Sequence, residues 1–243
     1  MTRKSVPRSV LVLALAANLF FAGCSVAVEP DFAAARERMV VEQLAGRDIT
    51  NQFVLQVMRS VPRHEFVPKP LRGQAYADYP LPIGHGQTIS QPYIVAFMTQ
   101  ALDPRTNDVV LEIGSGSGYQ AAVLAGLVKK VCTIEIVETL ARRAEADLQR
   151  LACTNVQVRA GDGYLGWPDA APFDAILVTC APDHIPQPLV DQLKEGGRMI
   201  IPVGRADDQS LYLLRKERGK VRQQAVLPVR FVPMTGKATE SKR

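Results

Sequence analysis

Val109-Val-Leu-Glu-Ile-Gly-Ser-Gly-Ser-Gly-Tyr-Gln120 is the stretch that decides the fold. Four apolar residues around Glu112 read as a buried strand, Gly114, Gly116 and Gly118 turn the backbone, and residues 119–128 follow with helical spacing. Glycine suits such a turn because it takes positive φ and leaves no Cβ between backbone and ligand. The helix start beyond it presents free N–H groups and a partial positive charge. Strand, glycine turn and helix N-terminus together define a small-molecule site, with a carboxylate, Glu112, two residues before the first glycine.

The spacing sets the ligand chemistry. A dinucleotide-binding turn reads G-x-G-x-x-G, whereas this chain has G-x-G-x-G. A carboxylate at Glu112 repels a pyrophosphate and suits a cationic or hydroxyl-bearing ligand, which disfavours a nicotinamide-dependent oxidoreductase. The pattern E-x-G-x-G-x-G resembles motif I of the class I S-adenosylmethionine (SAM) methyltransferases, whose ligand has a sulfonium, an amino group and no phosphate. The resemblance implies SAM as cofactor, held by Glu112, Gly114, Ser115, Gly116, Gly118 and Tyr119.

Downstream, strands alternate with helices. Residues 130–136 read as a strand, 137–151 as a helix with Leu140, Ala144, Leu148 and Leu151 on one face, and 155–160 as a third strand. A fourth strand at 173–179, a helix at 185–193 and a fifth strand at 197–203 follow, and 210–215 with 224–232 read as a closing antiparallel pair. This order predicts an α/β fold: a doubly wound, mostly parallel sheet of the seven-stranded, Rossmann-like type, with helices at the N-terminus and the ligand at the carboxyl ends of the strands. Glu135, at the end of the second strand, is the expected partner of ribose hydroxyls. In the turn Gly161-Asp162-Gly163, the carboxylate can accept from an adenine amino group. Trp167 and Phe173 read as core that could also wall the adenine pocket.

Upstream, residues 31–45 read as an amphipathic helix capped by Asp31 and ended by Gly46, and residues 51–60 as a second short helix. Residues 61–92 are rich in proline and glycine and lack periodicity; a long irregular segment inside a domain is usually functional or disordered, and its aromatic content argues for order. Within it stand Val61-Pro-Arg-His-Glu-Phe-Val67 and Leu81-Pro-Ile-Gly-His-Gly-Gln-Thr-Ile-Ser90-Gln-Pro-Tyr93, before a helical run over 93–102. Over residues 33–236 this arrangement resembles the protein-L-isoaspartate O-methyltransferase family, with His85 where glutamine is common.

That resemblance implies methyl transfer from SAM to the α-carboxylate of L-isoaspartyl residues in damaged proteins and peptides, followed by collapse of the ester to a succinimide. It assigns Ser90 as the catalytic serine, orienting the substrate carboxylate, with Gln87, Thr88, Ile89, His85 and Thr235 shaping the substrate site. Bland readings stand beside these: Ser90 as a helix N-cap, Thr235 as a strand-end turn, and His64, His85 and His184 as ordinary surface or satisfied residues. A methyltransferase for another carboxylate or small molecule, and a non-catalytic lipid-anchored SAM-binding protein, are the alternative functions.

Residues 1–24 have a basic start, an apolar run and then Ala22-Gly23-Cys24, the layout of a secretory signal. The run is shorter than the roughly 20 residues that span a bilayer. Phe-Ala-Gly-Cys24 resembles the lipobox of bacterial lipoproteins, which implies lipidation of Cys24, membrane anchoring and a periplasmic location. Cleavage after Ala27, or a misassigned start before a cytoplasmic protein, are the alternatives. The remainder, 31–236, reads as one domain: an N-terminal helical and substrate part over 31–105, then the SAM-binding sheet over 106–236. The net charge of +5 drops by three without Arg3, Lys4 and Arg8 to +2, and no basic stripe with interleaved aromatics indicates nucleic acid. The four cysteines form no C-x-x-C pair, so no metal site is expected. The lack of a sustained heptad favours a monomer.

Overall fold

The computed structural model describes residue 1, residues 31–205 and residues 207–240. Backbone contacts divide the chain into two units, Met1–Pro30 and Asp31–Arg243. The leader, with Cys24, lies outside the described residues.

Helix α1 (Phe32–Arg38) begins where Asp31 Oδ1 accepts from Ala34 N at 2.9 Å. It continues as a π-helical turn, Met39–Ala45, that buries Met39, Val40 and Leu44 and stops at Gly46. The single helix expected over 31–45 is thus wound in two ways. Helix α2 (Gln52–Ser60) is capped by Asn51, whose Oδ1 accepts from the backbone of Phe53 and Val54. The irregular segment then contains two 3₁₀ turns, Arg63–Phe66 and Lys69–Gln74, and a small hairpin of β1 (Leu81–Gly84) and β2 (Gln87–Ile89). Leu81, Ile83 and Ile89 anchor the hairpin in the core, and Gly84, His85 and Gly86 take positive φ at its tip. Helix α3 (Pro92–Leu102) follows directly.

The main sheet comprises β3 (Val109–Ile113), β4 (Lys130–Glu135), β5 (Val156–Ala160), β6 (Phe173–Val178), β7 (Leu193–Arg205), β8 (Asp208–Glu217) and β9 (Lys220–Val229). Its order is β5-β4-β3-β6-β7-β8-β9, parallel from β5 to β7 and antiparallel across β7, β8 and β9. This is the predicted doubly wound sheet. Helices α4 (Tyr119–Ala125) and α5 (Glu138–Arg150) connect the first strands. The helix expected over 185–193 shrinks to α6 (Gln187–Asp191), because β7 already pairs from Leu193. Likewise β8 and β9 run closer together than predicted, joined by the two-residue turn Arg218-Gly219, both at positive φ, whose N–H groups Glu195 accepts. A short α7 (Lys237–Glu240) ends the described chain.

One face of the sheet buries Val110, Leu177 and Ile200 with the N-terminal helices; the other buries Leu111, Ile113, Trp167 and Phe173. Trp167 and Phe173 are therefore core. Arg198 of β7, only 3% exposed, ties the layers together. It donates through Nε to Leu102 O at 2.8 Å and through Nη2 to Asp103 O at 2.5 Å, at the end of α3, through Nη1 to Asp174 O, and pairs with Asp108 before β3. Satisfying so many donors is what makes a buried guanidinium tolerable.

Candidate active site

From β3 the chain winds to β4 and β5 on one side of the sheet, and it returns through β6 to β7 on the other. The carboxyl ends of β3 and β6 therefore flank the switch point at which open α/β sheets bind ligands. A narrow cavity of about 80 Å³ lies there, lined by Gly114 to Ser117 on the turn, Glu135 and Ile136 after β4, Gly163, and Thr179 and Cys180 after β6. Gln87 to Ser90 and Val232 to Thr235 close it from the other side.

The turn is built tightly. Gly114 has φ +94°, and a Cβ there would sit 2.3 Å from Thr179 Oγ1. That hydroxyl donates to the carbonyls of Ile113 and Gly114, so the close approach locks β3 to β6. A Cβ on Gly116 would reach Ile83 Cδ1 at 3.4 Å, which places the β1–β2 hairpin against the turn. Glu135 Oε2 accepts from Gly116 N at 2.8 Å and Oε1 from Val137 N at 2.9 Å. Each oxygen keeps a second lone pair in a residue that lines the cavity, consistent with the ribose role predicted for it.

Glu112 is buried like Glu135 but differs from it in its partners and in its access to the cavity. It is fully buried, does not line the cavity, and neither oxygen has a hydrogen-bond partner among the described residues. Burial lifts its carboxyl from 4.5 to about 8. Thr133, its neighbour in register on β4, counters this in part, but its hydroxyl also pairs with Ser115 Oγ at 2.6 Å. The neighbouring Glu135 carboxyl pushes the same way as burial.

Of the remaining predicted residues, Ser115, Gly116, Tyr119, Gly163, Gln87, Thr88, Ile89, Ser90 and Thr235 come together around the cavity. Gly118 starts α4 at φ +87°. Asp162 stands outside the lining, its oxygens accepting from Tyr164 N and Lys237 N, so its visible work is to cap a 3₁₀ turn and hold the C-terminal segment. His85 also lies outside, its Nε2 3.0 Å from Thr139 Oγ1 on α5. His64 stacks on Phe32 with ring centroids 4.0 Å apart, and His184 approaches Tyr164. The N-cap of α3 is Gln91, without a side-chain bond, and the Ser90 hydroxyl makes no hydrogen bond among the described residues. Capping therefore does not account for Ser90.

Sequence reasoning missed Thr179, Cys180, Val95 and Gln120 in the lining; the first two follow a strand beside the switch point, a position that could have flagged them. Burial pushes the Cys180 thiol up to about 12, so it is no nucleophile at neutral pH. A second opening, a groove of about 1210 Å³, runs from Pro80, Gln91 and Ile94 past Gly204 to Pro228 and Phe231. It meets the inner cavity at Thr88, Ser90, Thr179, Val232 and Pro233.

The residues fit a cationic, phosphate-free cofactor. Two carboxylates flank the turn, one of them with orphaned buried oxygens. Residues 35–239 match the family described as protein-L-isoaspartate(D-aspartate) O-methyltransferase. A protein-L-isoaspartate O-methyltransferase of Opitutus terrae is 59% identical over 201 residues, covering 82% of this chain and 86% of its own. One of Cupriavidus necator is 49% identical over 250 residues, covering 98% and 96%. A Plasmodium falciparum structure of that description, in complex with S-adenosyl-L-homocysteine (SAH), superimposes with a TM-score of 0.72 at 26% identity, covering 85% of this chain and 99% of that one. Fold and site together define a class I SAM-dependent methyltransferase. Within that class, the chain belongs to the protein-L-isoaspartate O-methyltransferase family. Its reaction is repair: a methyl group passes from SAM to the α-carboxylate of L-isoaspartyl residues in damaged proteins.

Proposed function

We propose that Ser90 holds the isoaspartyl carboxylate at the junction of the two cavities, with the damaged peptide in the outer groove. The observation that carries this is that Ser90 borders both spaces and has an uncommitted hydroxyl. A carboxylate is already ionised at neutral pH, so no general base is needed. SAM, held by the turn and Glu135, supplies an electrophilic methyl group. Ser90 then orients the attacking oxygen, Thr88 and Thr235 narrow its approach, and the hairpin excludes water. Well-oriented reactants can gain on the order of 7 kcal/mol or more from positioning. Incubation with labelled SAM and paired peptides differing only in Asp or isoAsp tests this. Label is expected in the isoAsp peptide alone, and Ser90→Ala is expected to lower kcat about a hundredfold, the scale for one lost orienting donor. Equal labelling of the two peptides would overturn the assignment.

The leader supports a further part of the proposal, that the enzyme is exported to repair envelope proteins and anchored through lipidated Cys24; the lack of a sustained heptad supports a monomer. The Cupriavidus necator relative is matched across 98% of this chain, a span that reaches into the leader. Palmitate labelling of the intact protein, lost in Cys24→Ala and found in the membrane fraction, is the expected result; labelling unchanged in Cys24→Ala would count against it.

A further inference from the structure

We propose that Gln209 is a positioning residue for the acceptor peptide: its side-chain amide fixes a strap of chain, residues 231–237, that divides the cofactor cavity from the outer groove. This rests on the reading that the damaged peptide lies in that groove.

The strap begins where β9 ends. Val229, the last residue of β9, is in register with Gln209 of β8. Beyond it, Phe231 to Thr235 run outside every strand and helix, so each N–H and C=O there must find its partner elsewhere. The Gln209 side chain carries the same donor and acceptor as a peptide group and serves as one. Its Oε1 accepts from Phe231 N at 2.6 Å, and its Nε2 donates to Phe231 O at 3.2 Å. Gln209 is only 6% exposed although it borders the groove. Both polar atoms are turned to Phe231, so its influence on a bound peptide runs through the strap.

The next fixings follow in order. Ala181, just past β6, donates its N–H to Val232 O and accepts from Met234 N, each at 2.8 Å, which makes a single parallel bridge to Pro233. Met234 is buried in the core, and Asp162 Oδ2 then accepts from Lys237 N at 2.8 Å. Between these points the strap has a face on each space. Val232 to Thr235 line the inner cavity, and Phe231 to Pro233 line the groove that Ser90 also borders.

The first fixing sets the direction of the rest. β9 is the edge of the sheet, with β8 as its one neighbour, so a chain leaving it has no ladder to follow. The Gln209 amide supplies the missing rung. Without it, two part-buried backbone groups lose their partner and the start of the strap loosens. A peptide that binds must then order it again, and pays in affinity. The cofactor depends on the strap less, because Glu135 and the glycine turn are fastened to each other and to Thr179.

Steady-state kinetics of full-length Gln209→Leu, with the isoAsp peptide and SAM varied in turn, test this together with hydrogen exchange. The KM for the peptide is expected to rise about tenfold, the scale of one lost hydrogen bond, while kcat and the KM for SAM hold. Amides from Phe231 to Thr235 are expected to exchange faster than in the natural protein. An unchanged peptide KM, or a rise by the same factor in both KM values, overturns the inference. If Gln209→Leu fails to fold, Gln209→Glu, which keeps the acceptor and loses the donor, is read by the same split. Equal labelling of Asp and isoAsp peptides by the natural protein overturns the reading of the groove instead.

Discussion

Glu112 and Glu135 sit at the ends of neighbouring strands, and the difference between them lies in whether backbone N–H groups reach their oxygens. The consequence for stability can be signed. With its carboxyl raised from 4.5 to about 8, Glu112 binds a proton more tightly in the folded than in the unfolded chain. Its contribution is therefore complete at and below about pH 4.5 and is lost as pH rises toward 8. Denaturant titrations of the cofactor-free protein at pH 5 and pH 8 should show a decline on the order of a few kcal/mol, and Glu112→Gln should remove most of it. A carboxylate before a glycine turn was legible in the sequence. Its isolation was not, since burial depends on partners from other strands, such as Thr133 and Leu177, in register beside it on β4 and β6. The capping work of Asp162 was hidden for the same reason, because one of its partners, Lys237, is 75 residues away.

Among the elements, the turn after β3 is the least tolerant of a side chain. Gly114→Ala must accommodate both φ +94° and a contact of 2.3 Å with Thr179 Oγ1, whereas Gly219→Ala, at φ +72°, meets nothing within 4 Å. Gly219→Ala should cost about 1–2 kcal/mol from backbone strain alone, and Gly114→Ala clearly more, together with SAM binding. Urea midpoints of the two variants side by side check this; equal midpoints would show that the packing against Thr179 carries nothing. The central strands β3, β4 and β6 were readable because they are short runs rich in apolar and β-branched residues. The β1–β2 hairpin was not readable, for strands of four and three residues containing Pro82 and two flanking glycines give no period to detect. It was found only as a family resemblance around Gln87 to Ser90, without its shape.

For the whole molecule, the order of strands and helices implied the doubly wound sheet, and the structure adds the fastening that alternation cannot encode. Because Asp31–Arg243 forms its own compact unit, a chain starting at Asp31 is expected to match the full protein in Tm and in kcat/KM on an isoAsp peptide. A marked drop in Tm would mean that the leader contributes to the fold. Arg198 was invisible to the sequence reading, one arginine among many in the chain. Its partners sit at the far end of α3, the helix that starts two residues after Ser90. Eleven helical residues make a rod of roughly 16 Å. The guanidinium is thus the datum from which that rod is measured, and on the role proposed for Ser90 the other tip of the rod sets where its hydroxyl meets the substrate. Since misplacement by about 1 Å can cost a hundredfold in rate, the tolerance of the chemistry is held by a residue a full helix away from it.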